Sequence, residues 1–314
     1  MNNKIELTGT WEQSSKNPAL GAFILVFICG GLYFFIASII LQVYIYADVF
    51  SSGGTVLSGD MYYIDYIKVY IERYKLVSLG FTAVFQYLGF LVFPILIIKK
   101  WHTRQISAYF QYDHIHIPGI ILSVAGVFFI MPLVDIISQF FFHLFPVFEK
   151  LSELSSPLFI AKNPGEMVFI VFVISITPAV CEEAIFRGYF QRTLQRKFPF
   201  PWHFIISGFV FALFHQQTLS LLALFLVGVY LGYIYYCFTS LYVSMAAHSV
   251  YNFIIIYLLN TKAAPAFLFT ENGNYQPSIV FISLALFLLL LYFIYKIRQK
   301  SQVYNPDEET EPAL

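Results

Sequence analysis

Residues 181–191 read CEEAIFRGYFQ. Glu182, Glu183 and Arg187 stand inside a stretch, about Met167 to Phe190, that is otherwise apolar enough to lie in lipid. A charged side chain at the centre of a membrane helix costs about 3 kcal/mol on insertion. Three of them in one segment need partners, and the rest of the sequence has to supply those partners.

The 314 residues are 59% hydrophobic and 11% charged, with mean hydropathy +0.71. A soluble domain carries about 25% charged residues, so the composition is that of a membrane protein. The formal net charge of 0 offers no global field that would recruit nucleic acid. Cys29, Cys181 and Cys237 all lie in apolar segments and read as small core hydrophobes, not as a disulfide framework. The polar opening, MNNKIELTGTWEQSSKNP, lacks the charged, apolar and small-residue order of a cleaved leader, which predicts that the first span is retained.

About 20 apolar residues cross a bilayer as a helix. Working outward from Glu182, such stretches run over about Leu20–Ala47, Leu76–Ile98, Pro118–Pro146, Met167–Phe190, Trp202–Gln216, Leu219–Phe238, Leu241–Leu259 and Ile279–Ile297. The expected fold is therefore all-α: a polytopic membrane helical bundle of about eight transmembrane helices. A polar segment (1–18) precedes the transmembrane domain (19–298). An acidic tail (299–314) reads as disordered. Eight spans put both termini on one side. With that side inside, the inner segments hold 11 Lys and Arg against 6 outside, and Arg187 lies within a span. The positive-inside rule then favours two cytoplasmic termini over the reverse.

Well inside the spans the acidic and basic side chains, histidine included, are Asp135, Glu182, Glu183, Arg187, His215 and His248. Intramembrane groups of this kind either hold helices together by polar contacts or serve a function. Spacing separates the two cases. Glu183 and Arg187 are i, i+4 and share a helix face, as do Phe211 and His215, and His248 and Asn252. Depth agrees. Counted at 1.5 Å per residue from the basic face, Glu182 lies about 15 Å in, His215 about 20 Å, His248 about 12 Å and Asn252 about 18 Å. Asp135 comes out about 25 Å in, nearer the far face. With Gln139 one turn on, it reads as a helix–helix polar contact.

A carboxylate, two histidines and an amide at one level suggest hydrolysis. Arg187 can neutralise Glu183 and leave Glu182 as general base toward water. His215 could help hold that water, and His248 and Asn252 could donate to the oxyanion formed at an amide carbonyl. HExxH and GxSxG are both absent, and Asp135 has no second intramembrane aspartate for an aspartyl mechanism. A zinc site from Glu182, His215 and His248 stays open on donor chemistry. It weighs less, because it would take up the free base and one oxyanion donor together. No cofactor and no metal is expected. A non-catalytic scaffold held by these polar contacts, and a transporter with a midplane polar site, are the other function classes. Pro178 interrupts the fourth span, as a transporter helix can be interrupted, but no repeat is visible.

EEAIFR (182–187), FALFH (211–215) and MAAHSVYN (245–252) occur in order on successive spans. They resemble the three motifs of the CPBP family, which contains type II CAAX prenyl endopeptidases and bacterial Abi proteins. The resemblance covers roughly 167–258, and no motif residue departs from the pattern. It implies an intramembrane glutamic endopeptidase in which Glu182 and His215 activate water, His248 and Asn252 form the oxyanion site, and Glu183 and Arg187 support Glu182. It further implies a multi-pass protein of the bacterial inner membrane. The partners would be the lipid bilayer and a membrane-associated peptide or protein substrate. Neither prenylation of that substrate nor the oligomeric state follows from it.

Overall fold

The structure, a computed structural model, describes residues 5–14, 16–51, 63–112, 115–215, 221–261, 268 and 275–303. Among these residues it is helical throughout. In lipid every backbone N–H and C=O has to be satisfied within its own segment, and a helix does this with the fewest partners. α1 is Pro18–Ser51. α2 joins Tyr63–Tyr87, a π-turn at Leu88–Val92 and Phe93–Trp101. α3 is Ile117–Leu144. α4 spans Pro164–Gln195. α5 is Trp202–Phe214, α6 Leu221–Phe238, α7 Leu241–Thr261 and α8 Pro277–Val303. Seven of these are long and apolar enough to cross a membrane, and α5 is a shorter apolar helix. The chain is an integral multi-pass membrane bundle.

The expected spans fall on these helices, with three differences. α5 stops at Phe214, so its 13 residues rise only about 20 Å, short of the roughly 30 Å of a hydrocarbon core. It delivers His215 to the site. The expected ends at Gln216 and Leu219 lie outside the described residues. α8 continues to Val303, past the expected start of the tail at 299, and residues 304–314 lie outside the described residues. Lys75, expected in an outer loop, is a buried residue of α2. Its Nζ donates to the Ile160 carbonyl at 2.6 Å and meets Glu166 Oε2 at 3.2 Å.

α4 is the central helix. Each residue of its Ala184–Gln191 segment is buried, as expected of a helix with neighbours on all sides. α1, α2, α5, α6 and α7 pack against it, while α3 packs on α6 and α7 and α8 packs on α3 and α6; two contacts between α5 and α6 bring their backbones very close. A Cβ on Gly208 of α5 would lie 2.7 Å from the Val229 nitrogen of α6, and one on Gly228 would lie 2.9 Å from Gly208. Small residues at a membrane helix crossing allow this approach. At the end of the bundle that holds Trp101 and Arg196, residues 5–13 cross as a strap. Gly9 N donates to the His102 carbonyl at 2.9 Å, the Trp11 and Trp101 rings are 4.9 Å apart, and Glu12 pairs with Arg196 at 2.7 Å.

Candidate active site

The sequence KNPGE sets the start of α4. Asn163 Oδ1 accepts from Glu166 N at 3.0 Å and Pro164 takes the first turn, where its missing N–H is not needed. The helix then departs from α geometry twice, in π segments at Phe172–Ile176 and Ala184–Gln191. The two glutamates end the α-helical piece between them, Thr177–Glu183. π segments are rare and collect at functional sites.

Glu183 and Arg187 form the expected pair, Nη1 to Oε1 at 2.7 Å, and both are fully buried. The arginine has two further partners. Its Nη2 donates to the Gly228 carbonyl at 3.0 Å, and its guanidinium lies 4.4 Å from the centroid of the Phe211 ring. One turn along, Gln191 Nε2 donates to the Gly232 carbonyl at 2.8 Å. Residues 187 and 191 thus read residues 228 and 232 in a ladder of equal period on α4 and α6. His248 joins the same carboxylate, with Nδ1 2.8 Å from Glu183 Oε1. Phe211 is the hub, since its ring centroid is 4.5 Å from that of His215 and 5.8 Å from that of His248.

Glu182 faces a different set. Its Oε1 accepts from Gln86 Nε2 of α2 at 2.7 Å. Its Oε2 has no hydrogen bond and lies 3.7 Å from His215 Nε2. His215 Nδ1 is 2.9 Å from the Phe211 carbonyl. A carbonyl only accepts, so Nδ1 carries the proton, and Nε2 of the neutral ring is an acceptor toward Glu182. The His215 side chain is 26% exposed and that of Glu182 10%, so the pair is reached from the histidine side.

Asn252 lies on α7 one turn past His248, as the spacing predicts, but its donor is engaged. Nδ2 donates to the Ile174 carbonyl at 3.0 Å. Ile174 stands four residues before Pro178, which has no N–H to return to that carbonyl. Pro178 thus leaves α4 continuous, and its missing donor is replaced from α7. Ser175 adds a second tie, Oγ to the Ser249 carbonyl at 2.7 Å. Asn252 keeps one N–H of its amide for any other acceptor.

Asp135 does not join the site. Its carboxylate accepts from Gln139 Nε2 one turn on in α3. Among the described residues no three His, Cys, Asp or Glu side chains gather as a metal site. The zinc arrangement needs Glu182, His215 and His248 to converge, and His248 is turned to Glu183 instead.

Residues 164–254 match the family model for Type II CAAX prenyl endopeptidase Rce1-like proteins. Over that segment the chain is similar to Rce1-like proteins. No curated protein and no solved structure matches the chain. The Rce1-like segment opens at the proline of the α4 cap and closes two residues past Asn252, so it contains all six motif residues. It supports an intramembrane CAAX-type endopeptidase. Gln86 lies outside the Rce1-like segment and outside the motifs. The only signal for it in the sequence was an amide in the apolar run SLGFTAVFQYLGF, and it carries no charge to draw attention.

Proposed function

We propose that this chain hydrolyses peptide bonds of membrane-associated substrates with a water held between Glu182 and His215. One observation carries the reading: the 3.7 Å gap between Glu182 Oε2 and His215 Nε2. Both atoms are acceptors, so neither satisfies the other. Two acceptors that each sit about 2.8 Å from one water oxygen lie about 4.5 Å apart at its tetrahedral angle, so the pair opens by roughly 1 Å to seat a bridging water. Such a water gives both hydrogens to the protein and turns its lone pairs to the substrate carbonyl. Glu182 takes the proton as water attacks, and returns it to the leaving amine.

The oxyanion needs donors. His248 gives Nδ1–H to Glu183, so the neutral ring offers only an acceptor at Nε2. Donation through Nε2 requires the imidazolium, with Glu183 as counter-ion. That state also balances the charge, two carboxylates against Arg187 and His248. The free N–H of Asn252 is the second donor. The site residues of this reading are Glu182, Glu183, Arg187, His215, His248 and Asn252, and no step calls for a cofactor.

Glu182→Ala and His215→Ala are each expected to abolish proteolysis in folded, inserted protein. The double variant is expected to be no worse than either single one, because the two act as a unit. Substrates are found by comparing membrane-protein fragments between wild-type cells and Glu182→Ala cells. Near-wild-type cleavage of such a substrate by either variant would sink the mechanism. The family resemblance supports a bacterial inner membrane, and the basic bias supports two cytoplasmic termini. A periplasmic readout from a reporter fused to Leu314 would reverse that orientation.

A further inference from the structure

Gln86 is the polar side chain at the site that the six motif residues leave unassigned. It is 6% exposed, and its Nε2 donates to Glu182 Oε1 at 2.7 Å across 96 residues of chain. Its own carbonyl oxygen is buried without a hydrogen-bond partner. An amide buried with one group unmet weakens a fold, because the oxygen has lost water and gained nothing. A methionine of the same length would fill the space with no such loss. Packing therefore does not account for a glutamine here, whereas the bond to Glu182 does.

A carboxylate has two equivalent oxygens and a broad terminal torsion. Left alone, Glu182 could turn either oxygen, or neither, toward His215. The amide of Gln86 removes that freedom. Its N–H can only donate, so it holds Oε1 without taking the proton that Glu182 must accept. The reverse amide orientation would set carbonyl against carboxylate, two acceptors face to face. The π-turn Leu88–Val92, two residues past Gln86, packs against Thr177–Glu183, which keeps donor and acceptor helices together.

We infer that Gln86 is a positioning residue for the hydrolysis: it pins Glu182 Oε1 and thereby presents Oε2 to the water shared with His215. The inference rests on the reading of Glu182 as the base.

The test uses full-length protein in proteoliposomes. The probe is a membrane peptide taken from a fragment pair that is lost in Glu182→Ala cells. Gln86→Met keeps length and removes the hydrogen bond. Its thermal midpoint is expected to be unchanged or higher, with KM within about two-fold of wild type and kcat lower by roughly 10- to 100-fold. Gln86→Glu supplies the readout that a packing role would not move. A protonated carboxyl can donate to Glu182 and an ionised one cannot. Its kcat is expected to recover as pH falls and to collapse as pH rises. Wild-type kcat in Gln86→Met, beside an inactive Glu182→Ala, would overturn the inference and leave the base assignment standing. An active Glu182→Ala would overturn both. A Gln86→Met variant that loses stability, with no acid recovery in Gln86→Glu, would make Gln86 a structural residue and overturn the inference.

Discussion

At the residue scale, Glu183 Oε1 meets two side chains, Arg187 Nη1 at 2.7 Å and His248 Nδ1 at 2.8 Å. The pair is dry, and this decides what its loss does. Removing one partner of a buried ion pair leaves an uncompensated charge and costs about 3–5 kcal/mol. In Arg187→Ala, Glu183 keeps His248, so the lower end of that range is expected. The Gly228 carbonyl and the Phe211 face lose their partner at the same time. Glu182→Ala removes a carboxylate whose only hydrogen bond is to Gln86. Thermal midpoints in detergent are expected to fall further for Arg187→Ala than for Glu182→Ala. Equal midpoints would mean that the guanidinium contributes no more to the fold than the Glu182 carboxylate, and would sink the Glu183–Arg187 pair as a stabilising contact. The Glu183–Arg187 pair was legible because helix pitch alone puts i and i+4 together. Gln86 was not, because its partner is on another helix and a lone amide has no spacing to give it away. The reach of Asn252 to Ile174 was hidden for the same reason. The i, i+4 spacing of His248 and Asn252 told that they share a face, not what each one meets.

At the element scale, the eight helices followed from hydropathy, whereas the irregular backbone did not. Nothing in a count of apolar residues marks where α-turns give way to π-turns, since both bury the same side chains. α5 was read as running over about Trp202–Gln216, and its helix ends at Phe214, where the apolar run gives way to HQQT. Pro178 is the exception, a sequence feature with a local consequence. It withholds an N–H from Ile174, and Asn252 supplies one from α7. This gives Asn252 two separable jobs, tying α7 to α4 and donating to the oxyanion. Asn252→Ala is expected to lower both stability and kcat. Adding Pro178→Ala returns a backbone N–H to Ile174, so the pair should regain stability, by about 1 kcal/mol as for one hydrogen bond, while kcat stays low. Full recovery of kcat in the double variant would reduce Asn252 to a helix tie. Unchanged stability in Asn252→Ala would show that the Ile174 carbonyl does not depend on it.

At the scale of the whole molecule, the motif helix is held at its basic end by the opposite end of the chain. Glu12, in the short helix Thr10–Gln13, binds both guanidinium nitrogens of Arg196, at 2.7 and 2.8 Å, and meets His102 Nδ1. His102 is fully buried and reaches Tyr189 at 3.2 Å, two residues past Arg187. The strap therefore joins α2 and α4, the helices that supply Gln86 and Glu182. The polar N-terminus read only as a segment outside the spans, because a contact between residues 12 and 196 leaves no periodic trace. Burial by itself would raise the Glu12 carboxyl, but the hydrogen bonds from His102 and Arg196 and their charge outweigh it and bring it down to about 2 from its ordinary 4.5. A group whose folded value is depressed stabilises the fold above its unfolded value and loses that contribution as pH falls toward the folded one. The contribution of Glu12 should thus be complete above pH 4.5 and fade between about 4.5 and 2. Glu12→Gln is the control, because it cannot titrate. Above pH 4.5 wild type is expected to melt higher than the variant, with the difference shrinking steadily on acidification through that window. A difference that stays constant down to the lower limit would show that Glu12 is not paired in the folded protein and that the strap is held by its other contacts, among them Gly9, Thr10 and Trp11.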